Sequence, residues 1–192
     1  MLRAYREGIF PMALEDGEIG WFSPDPRGVL PLDTFHMPHR LSRVVRKQAF
    51  EIRINHDFER VMRECAARED EDSTWISEEI IQCYVALHRR GRAHSVEAWH
   101  DGRLAGGLYG VHLGAAFFGE SMFHRVTDAS KAALVALVDL LRDDGVDGSG
   151  RLLDVQWQTR HLATLGAIEL ARTEYLQRLE AALELALPPA LA

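Results

Sequence analysis

A chain of 192 residues with 47% hydrophobic and 27% charged side chains has apolar material for one substantial domain and at most a small appendage. Its formal charge of −7 argues against a general nucleic-acid binder and leaves room only for local basic patches. No apolar run approaches the ~20 residues that cross a bilayer, no basic-then-apolar leader opens the chain, and two cysteines, Cys65 and Cys83, are too few for a disulfide framework. A soluble, cytoplasmic protein is expected, with both thiols buried in amphipathic patterns.

Residues 1 to about 27 are rich in glycine, proline and aromatics and show little periodicity. Ser23-Pro24-Asp25-Pro26 favours an extended or turning path, because residues before proline avoid the helical region. His39, Arg40, Arg43, Arg46, Lys47 and Arg53 form one cationic group and His88, Arg89, Arg90 and Arg92 another; composition alone reads both as solvated faces. Residues 50–54 alternate as a strand and residues 57–67 follow with helical spacing. The acidic run Glu69-Asp70-Glu71-Asp72 is expected as a loop. Ser77 with Glu78 and Glu79 is a helix start for residues 80–89, which Gly91 ends. Residues 95–99 read as a strand, Asp101-Gly102 as a hairpin turn, 104–111 as its partner, and Gly114 as a second turn into 115–118. Asp128 can cap a helix over 129–141 that is apolar nearly all round and therefore buried. A loop over 143–150, a strand over 151–156 and a helix over 173–187 complete an α+β layer arrangement.

The most informative stretch is Ala115-Ala116-Phe117-Phe118-Gly119-Glu120-Ser121-Met122-Phe123. An apolar strand-like run ends in a glycine and a carboxylate follows at once. A carboxylate among so much hydrophobic surface is costly unless it meets a cation or hydrogen-bond donors. The arrangement suits a site that grips an ammonium group beside an apolar side chain, as an aminoacyl pocket would; the bland alternative is a strand end whose glutamate reaches solvent. Asp154 and Gln156 lie two apart on a strand, so both side chains face the same side while Val155 points into packing. His36 and His39 lack the further ligands of a metal site, and neither cysteine has a paired histidine signature, so no metal and no thiol catalysis are expected.

Tyr5-Arg6-Glu7-Gly8-Ile9-Phe10-Pro11, Trp21-Phe22-Ser23-Pro24-Asp25-Pro26-Arg27, Gly119-Glu120-Ser121-Met122-Phe123 and Leu153-Asp154-Val155-Gln156 occur in that order. With Thr74-Trp75-Ile76, Ala93-His94-Ser95-Val96-Glu97 and Leu165-Gly166-Ala167, they closely resemble the leucyl/phenylalanyl-tRNA–protein transferases of bacteria, from about residue 1 to about residue 178. The resemblance implies a GNAT-like (acyl-CoA N-acyltransferase-like) catalytic domain over 28–192, with a mixed, largely antiparallel sheet flanked by helices. Residues 1–27 correspond to the end of the family's small N-terminal domain, truncated relative to members that carry several dozen residues before the tyrosine matched by Tyr5. The implied activity, with no cofactor, moves Leu or Phe from Leu-tRNA or Phe-tRNA to the N-terminal Arg or Lys of acceptor proteins. Such tagging marks the acceptors for degradation by the N-degron route.

Carried over residue by residue, the resemblance puts Glu120, beside Gly119, at the aminoacyl α-ammonium. Phe117, Met122, Leu108, Leu134, Leu137 and Leu141 are candidates to surround the apolar side chain, although leucines at helical spacing are more often packing than pocket. Asp154 and Gln156 match the proposed catalytic pair. A neutral amide is a very poor base, so Gln156 reads as an orienting group, with Asp154 holding it and favouring a cationic acceptor. Trp75 matches an aromatic that binds the terminal adenosine; Met12 stands where relatives commonly carry tryptophan, and Trp21 is either a similar platform or a buried tryptophan. His94 and His161 match family positions and are assigned structural hydrogen bonding only. An acetyl-CoA-dependent enzyme on the same fold would put a Gly-rich basic loop at His124-Arg125-Val126-Thr127-Asp128-Ala129-Ser130, which has no glycine and an acid at the helix start. A transferase for acidic N-termini would need a cationic acceptor pocket, and a tRNA- or N-degron-binding paralogue without turnover is the non-enzymatic alternative.

Overall fold

The computed structural model describes residues 1–67, 74–142, 150–186 and 191. In chain order, helix α1 (Leu2–Arg6) and a hairpin of β1 (Phe10–Ala13) and β2 (Ile19–Phe22) precede β3 (Arg27–Val29), α2 (His39–Arg46), β4 (Glu51–Ile54), α3 (Phe58–Ala66) and α4 (Glu78–His88). There follow β5 (Ala93–His100), β6 (Arg103–Leu113), β7 (Ala116–His124), α5 (Ala129–Arg142), β8 (Leu152–Gln156), α6 (Arg160–Ala163), β9 (Ile168–Leu170) and α7 (Arg172–Leu183). β1 and β2 form their own two-stranded sheet, and the other strands form a seven-stranded sheet in the order β4-β5-β6-β7-β8-β3-β9. Every junction of the large sheet is antiparallel except β7–β8. The fold is α+β with a largely antiparallel sheet flanked by helices. No described helix is long and apolar enough to cross a membrane.

The local chemistry explains most of these elements. Ser77 accepts the Ile80 N–H and starts α4. Asp101 and Gly102, both at positive φ, make the tight turn between β5 and β6. One face of the sheet packs Phe58, Val61, Met62, Ile80 and Tyr84 from α3 and α4, with Tyr5 and Leu179 from the two ends of the chain. The other face packs Leu134, Leu137, Val138 and Leu141 of α5. Asp128 pairs with Lys131 and Arg40 at the head of α5.

Several expectations need amendment. The strand expected to stop at Gly119 continues to His124, and the final helix runs from Arg172 to Leu183. The N-terminal segment, expected to be irregular, holds a helix and a hairpin, and the cationic residues 39–46 form α2. Cys65 is buried as expected, whereas Cys83 is exposed on α4. The acidic run 69–72 and most of the 143–150 loop lie outside the described residues.

Inside the sheet, the order of donors fixes the protonation of two histidines. Asn55 Oδ1 accepts the Ser95 N–H at 3.0 Å, so Asn55 Nδ2 donates to His94 Nδ1 at 3.0 Å. His94 must therefore carry its proton on Nε2, which donates to His112 Nδ1 at 2.7 Å. Neither Nδ1 atom has room for a proton, and burial above all, with His88 beside His94 and with His94 and Arg92 beside His112, pushes both imidazoles down to about 4. The folded state thus holds both rings neutral, and the stability this provides is complete above the usual histidine value. It is lost as pH falls from 6.5 toward 4. Melting temperatures measured across that range should fall in the parent protein and fall less in His112→Gln, whose amide oxygen still accepts from His94.

Candidate functional site

Parallel pairing of β7 with β8 is short. Ala116, Phe117 and Phe118 align with Leu152, Leu153 and Asp154, and there the ladder stops. Beyond that point β7 follows β6 while β8 turns toward β3, so the sheet opens as a wedge. A bulge sits at the same place. Gly110 pairs with Gly119 and Tyr109 with Ser121, which leaves Glu120 without a partner on β6. The extra residue shifts the alternation: Phe118 and Phe123 face the α3–α4 core, while Phe117 and Met122 lie on the α5 side. Ordinary period-two alternation would place Met122 with Phe118 instead.

The wedge is a cavity of about 310 Å³. Its apolar end is made by Leu108, Met122, Leu134, Leu137, Leu153 and Val155, and another side by the aromatic Phe10, Trp75 and Trp157 together with Met12. Glu120, Gln156, Ser121, Thr159 and His161 supply the polar groups of the lining. Met12 and Trp75 come together because the Ala13 N–H donates to the Trp75 carbonyl at 3.1 Å.

Glu120 is held from the opposite face. Its Oε1 lies 2.7 Å from the Tyr5 hydroxyl and its Oε2 lies 3.1 Å from the Tyr84 hydroxyl. The two phenols lie 2.5 Å from each other. Burial pushes the Glu120 carboxyl up to about 8 despite these contacts; Asp154 adds to the shift and Arg27 opposes it. Burial thus disfavours the ionised form of Glu120.

Beneath the cavity, Arg27 and Asp154 form a fully buried pair. Arg27 Nε donates to Asp154 Oδ1 at 3.0 Å and Nη2 to Oδ2 at 2.7 Å, while Nη1 donates to the Gly8 carbonyl at 2.8 Å. The Tyr175 hydroxyl adds a bond to Asp154 Oδ2 at 2.6 Å, and the guanidinium stacks between Phe10 and Tyr175. Asp154 also accepts the Gln156 backbone N–H at 2.8 Å. Gln156 itself has φ of 57°, a left-handed conformation that costs a non-glycine residue about 1–3 kcal/mol. Gly28 allows this turn: a Cβ there would meet Trp157 C and Gln158 N at 2.6 Å. Gln156 Nε2 is buried and, among the described residues, has no hydrogen-bond partner.

Glu120, Gln156, Gly119, Met122, Leu108, Leu134, Leu137, Trp75 and Met12 thus meet in one cavity. Three expected residues stand outside its lining. Asp154 is fully buried, outside the lining and paired with Arg27, so it adds no free negative charge to the cleft. Phe117 is fully buried with its ring over Gly110, where a Cβ would meet it at 2.4 Å. Leu141 lies a turn beyond Leu137 on α5 and is core. Trp21 is 51% exposed on β2 and does not line the cavity. His94 serves the sheet network, whereas His161 lines the cavity. The residues that sequence reasoning passed over are Tyr5, Tyr84, Arg27 and Tyr175. Tyr5 and Arg27 lie within the recognised motifs, but nothing local marks their contacts, which reach 115 and 127 residues along the chain.

Residues 29–180 match the family described as leucyl/phenylalanyl-tRNA protein transferase, and residues 1–25 match that family's N-terminal domain. A relative named leucyl/phenylalanyl-tRNA--protein transferase from Rubrobacter xylanophilus is 54% identical over 186 residues, 96% of this chain and 94% of the relative. Proteins of the same name from Gloeobacter violaceus and Herpetosiphon aurantiacus are 54% and 52% identical, each over 96% of this chain and 93% of the relative.

The Arg27–Asp154 pair gives a direct stability test. Removing one partner leaves the other charge buried, which typically costs about 3–5 kcal/mol. Arg27→Met should lower the urea unfolding free energy by roughly that amount. Arg27→Met combined with Asp154→Leu should recover most of the loss, since no charge is then stranded.

Proposed function

The chain belongs to the leucyl/phenylalanyl-tRNA–protein transferase family, and on that premise we propose that it moves leucine or phenylalanine from aminoacyl-tRNA to the N-terminal Arg or Lys of acceptor proteins. The acceptors are thereby tagged for the N-degron route. The observation that carries the reading is the cavity itself, an apolar wedge with one poised carboxyl and one unsatisfied amide on its wall. We also read the fold as GNAT-like; what supports this is the parallel β7–β8 pair that splays beside a bulge.

The reaction is aminolysis of an ester. A neutral amine attacks the carbonyl carbon, a tetrahedral oxyanion forms, and the ribose oxygen of the tRNA leaves. Glu120 takes the α-ammonium of the aminoacyl group through a charge-assisted hydrogen bond. Leu108, Met122, Leu134 and Leu137 surround the amino-acid side chain, and Met12 and Trp75 face the terminal adenosine, a stacking contact worth about 1–3 kcal/mol when the partner is aromatic. Gln156 Nε2 is a buried donor kept for an acceptor that arrives with the substrate, and the ester carbonyl oxygen has the chemistry to be that acceptor. Asp154 then acts as an anchor: it pins the Gln156 backbone, and its own charge is taken by Arg27. The preference for a cationic acceptor therefore rests on the family and not on a free Asp154 carboxylate. The bland alternative for Gln156, a polar residue at a strand end, leaves its strained backbone and orphan amide without a reason.

The test is transfer of labelled leucine from Leu-tRNA to peptides beginning with Arg or with Asp. The Arg peptide should be modified and the Asp peptide should not. Gln156→Ala should lower the turnover number by about 10²–10³-fold, the usual cost of one oxyanion donor, while leaving aminoacyl-tRNA binding nearly unchanged. Equal use of both peptides would overturn the acceptor class, and an unchanged turnover would remove Gln156 from the chemistry.

A further inference from the structure

Glu120 Oε1, the Tyr5 hydroxyl, the Tyr84 hydroxyl and Glu120 Oε2 make a closed ring with three oxygen–oxygen contacts of 2.7, 2.5 and 3.1 Å. A hydrogen bond in each contact takes one proton; the 2.5 and 2.7 Å separations are bearable only with one, and the 3.1 Å contact is the weakest of the three. The two phenols supply two protons. If Glu120 is ionised and both phenols point at it, the two phenol oxygens face each other bare. If instead one phenol donates to the other, the donating phenol's oxygen faces a bare carboxylate oxygen, Tyr84 at 3.1 Å or Tyr5 at 2.7 Å. Only a protonated Glu120 fills all three contacts: Glu120 donates to Tyr84, Tyr84 to Tyr5, and Tyr5 back to Glu120.

We infer that Tyr5 and Tyr84 are positioning residues that keep Glu120 neutral in the empty pocket, so that binding the charged α-amino group of an aminoacyl substrate expels one proton from the enzyme. This deepens the assignment of Glu120 as the α-ammonium's partner and rests on it. The balance is simple: the carboxyl O–H breaks, the proton leaves to solvent, and the resulting carboxylate pairs with the incoming ammonium. The groups that face the ring from every packed element are consistent with it. Arg27 on β3 is the nearby cation, and its charge is already matched by Asp154 on β8. Tyr175 on α7 gives its hydroxyl to Asp154, Tyr109 on β6 packs edge-on against Tyr84, and Cys83 adjoins Tyr84 on α4. None brings an unmatched positive charge to Glu120. Burial raises the Glu120 carboxyl in the direction of the proton count, against phenol hydrogen bonds that favour the ionised form when both donate to it.

The arrangement also tells the pocket what to accept. An uncharged group in place of the α-amino group would meet a neutral, self-satisfied ring and release nothing, whereas an ammonium exchanges a proton for an ion pair.

The probe is a leucyl-adenosine analogue whose ester is replaced by a 3′-amide, with its deamino counterpart as control. Calorimetry at pH 6.5 in two buffers of different ionisation enthalpy counts protons. At that pH the probe's amine, of a type that titrates near 8, is charged. The wild-type protein should release close to one proton per amine probe bound and none with the deamino probe. Glu120→Gln, whose amide can replace the carboxyl O–H in the ring, should fold normally and release none. Tyr84→Phe opens the ring and removes the need for the third proton, so its release should fall by about half or more. Binding of the amine probe by wild type without proton release overturns the inference and leaves the pocket assignment intact. Undiminished release in Tyr84→Phe overturns the ring as its cause. Equal affinity for the amine and deamino probes overturns both the inference and Glu120's assignment.

Discussion

The desolvation of one carboxylate, Glu120, is the constraint around which the sheet, its bulge and the N-terminal segment are arranged. A charge taken out of water into an apolar wall is tolerated only when it is neutralised, paired or hydrogen-bonded. Here the bulge aims Glu120 away from the α5 core and toward Tyr5 and Tyr84. Those tyrosines come from α1 and α4, elements 79 residues apart. The first helix of the chain is therefore tied to the middle of the sheet through the site itself.

A second buried interaction supports the first. Arg27 and Asp154 bind β3 to β8 just where β8 leaves β7, and the guanidinium stacks on Phe10 from the hairpin and Tyr175 from α7. Such a pair contributes little net stability compared with an apolar contact of the same shape, because desolvation offsets attraction. What it provides is placement. Asp154 fixes the Gln156 backbone, Arg27 fixes Gly8 next to the helix that carries Tyr5, and the strained turn at Gln156 is held against relaxation. Two carboxylates that look alike in the sequence thus do different work, one poised at the cavity and one locked beneath it.

The central elements were legible in the sequence because their hydrophobic periods are strong. Strands β4 to β6 and β8 and helices α3, α4 and α5 lie where alternation, helical spacing and turn residues such as Asp101-Gly102 put them, while β7 runs on past Gly119 and α7 ends at Leu183. The short pieces were not. β3 and β9 have three residues each, and they exist because β8 and β3 offer ladder partners from far along the chain. The two-residue spacing of Asp154 and Gln156 suggested a shared face, but only Gln156 lines the cavity, and its left-handed backbone is not legible in the spacing. Phe117 near the glutamate looked like a pocket residue, yet its ring is buried in the α5-side core against Gly110. The tyrosine ring could not be read from spacing at all, since only the folded chain brings Tyr5, Tyr84 and Glu120 together.

The most direct test of this account is an experimental structure with the amide-linked leucyl-adenosine analogue bound. The account places the α-amino nitrogen within hydrogen-bond distance of a Glu120 carboxylate oxygen, the leucine side chain against Leu134 and Leu137, and the carbonyl oxygen facing Gln156 Nε2. A pose with the amino group turned to solvent and Glu120 still closed on Tyr5 and Tyr84 would contradict it.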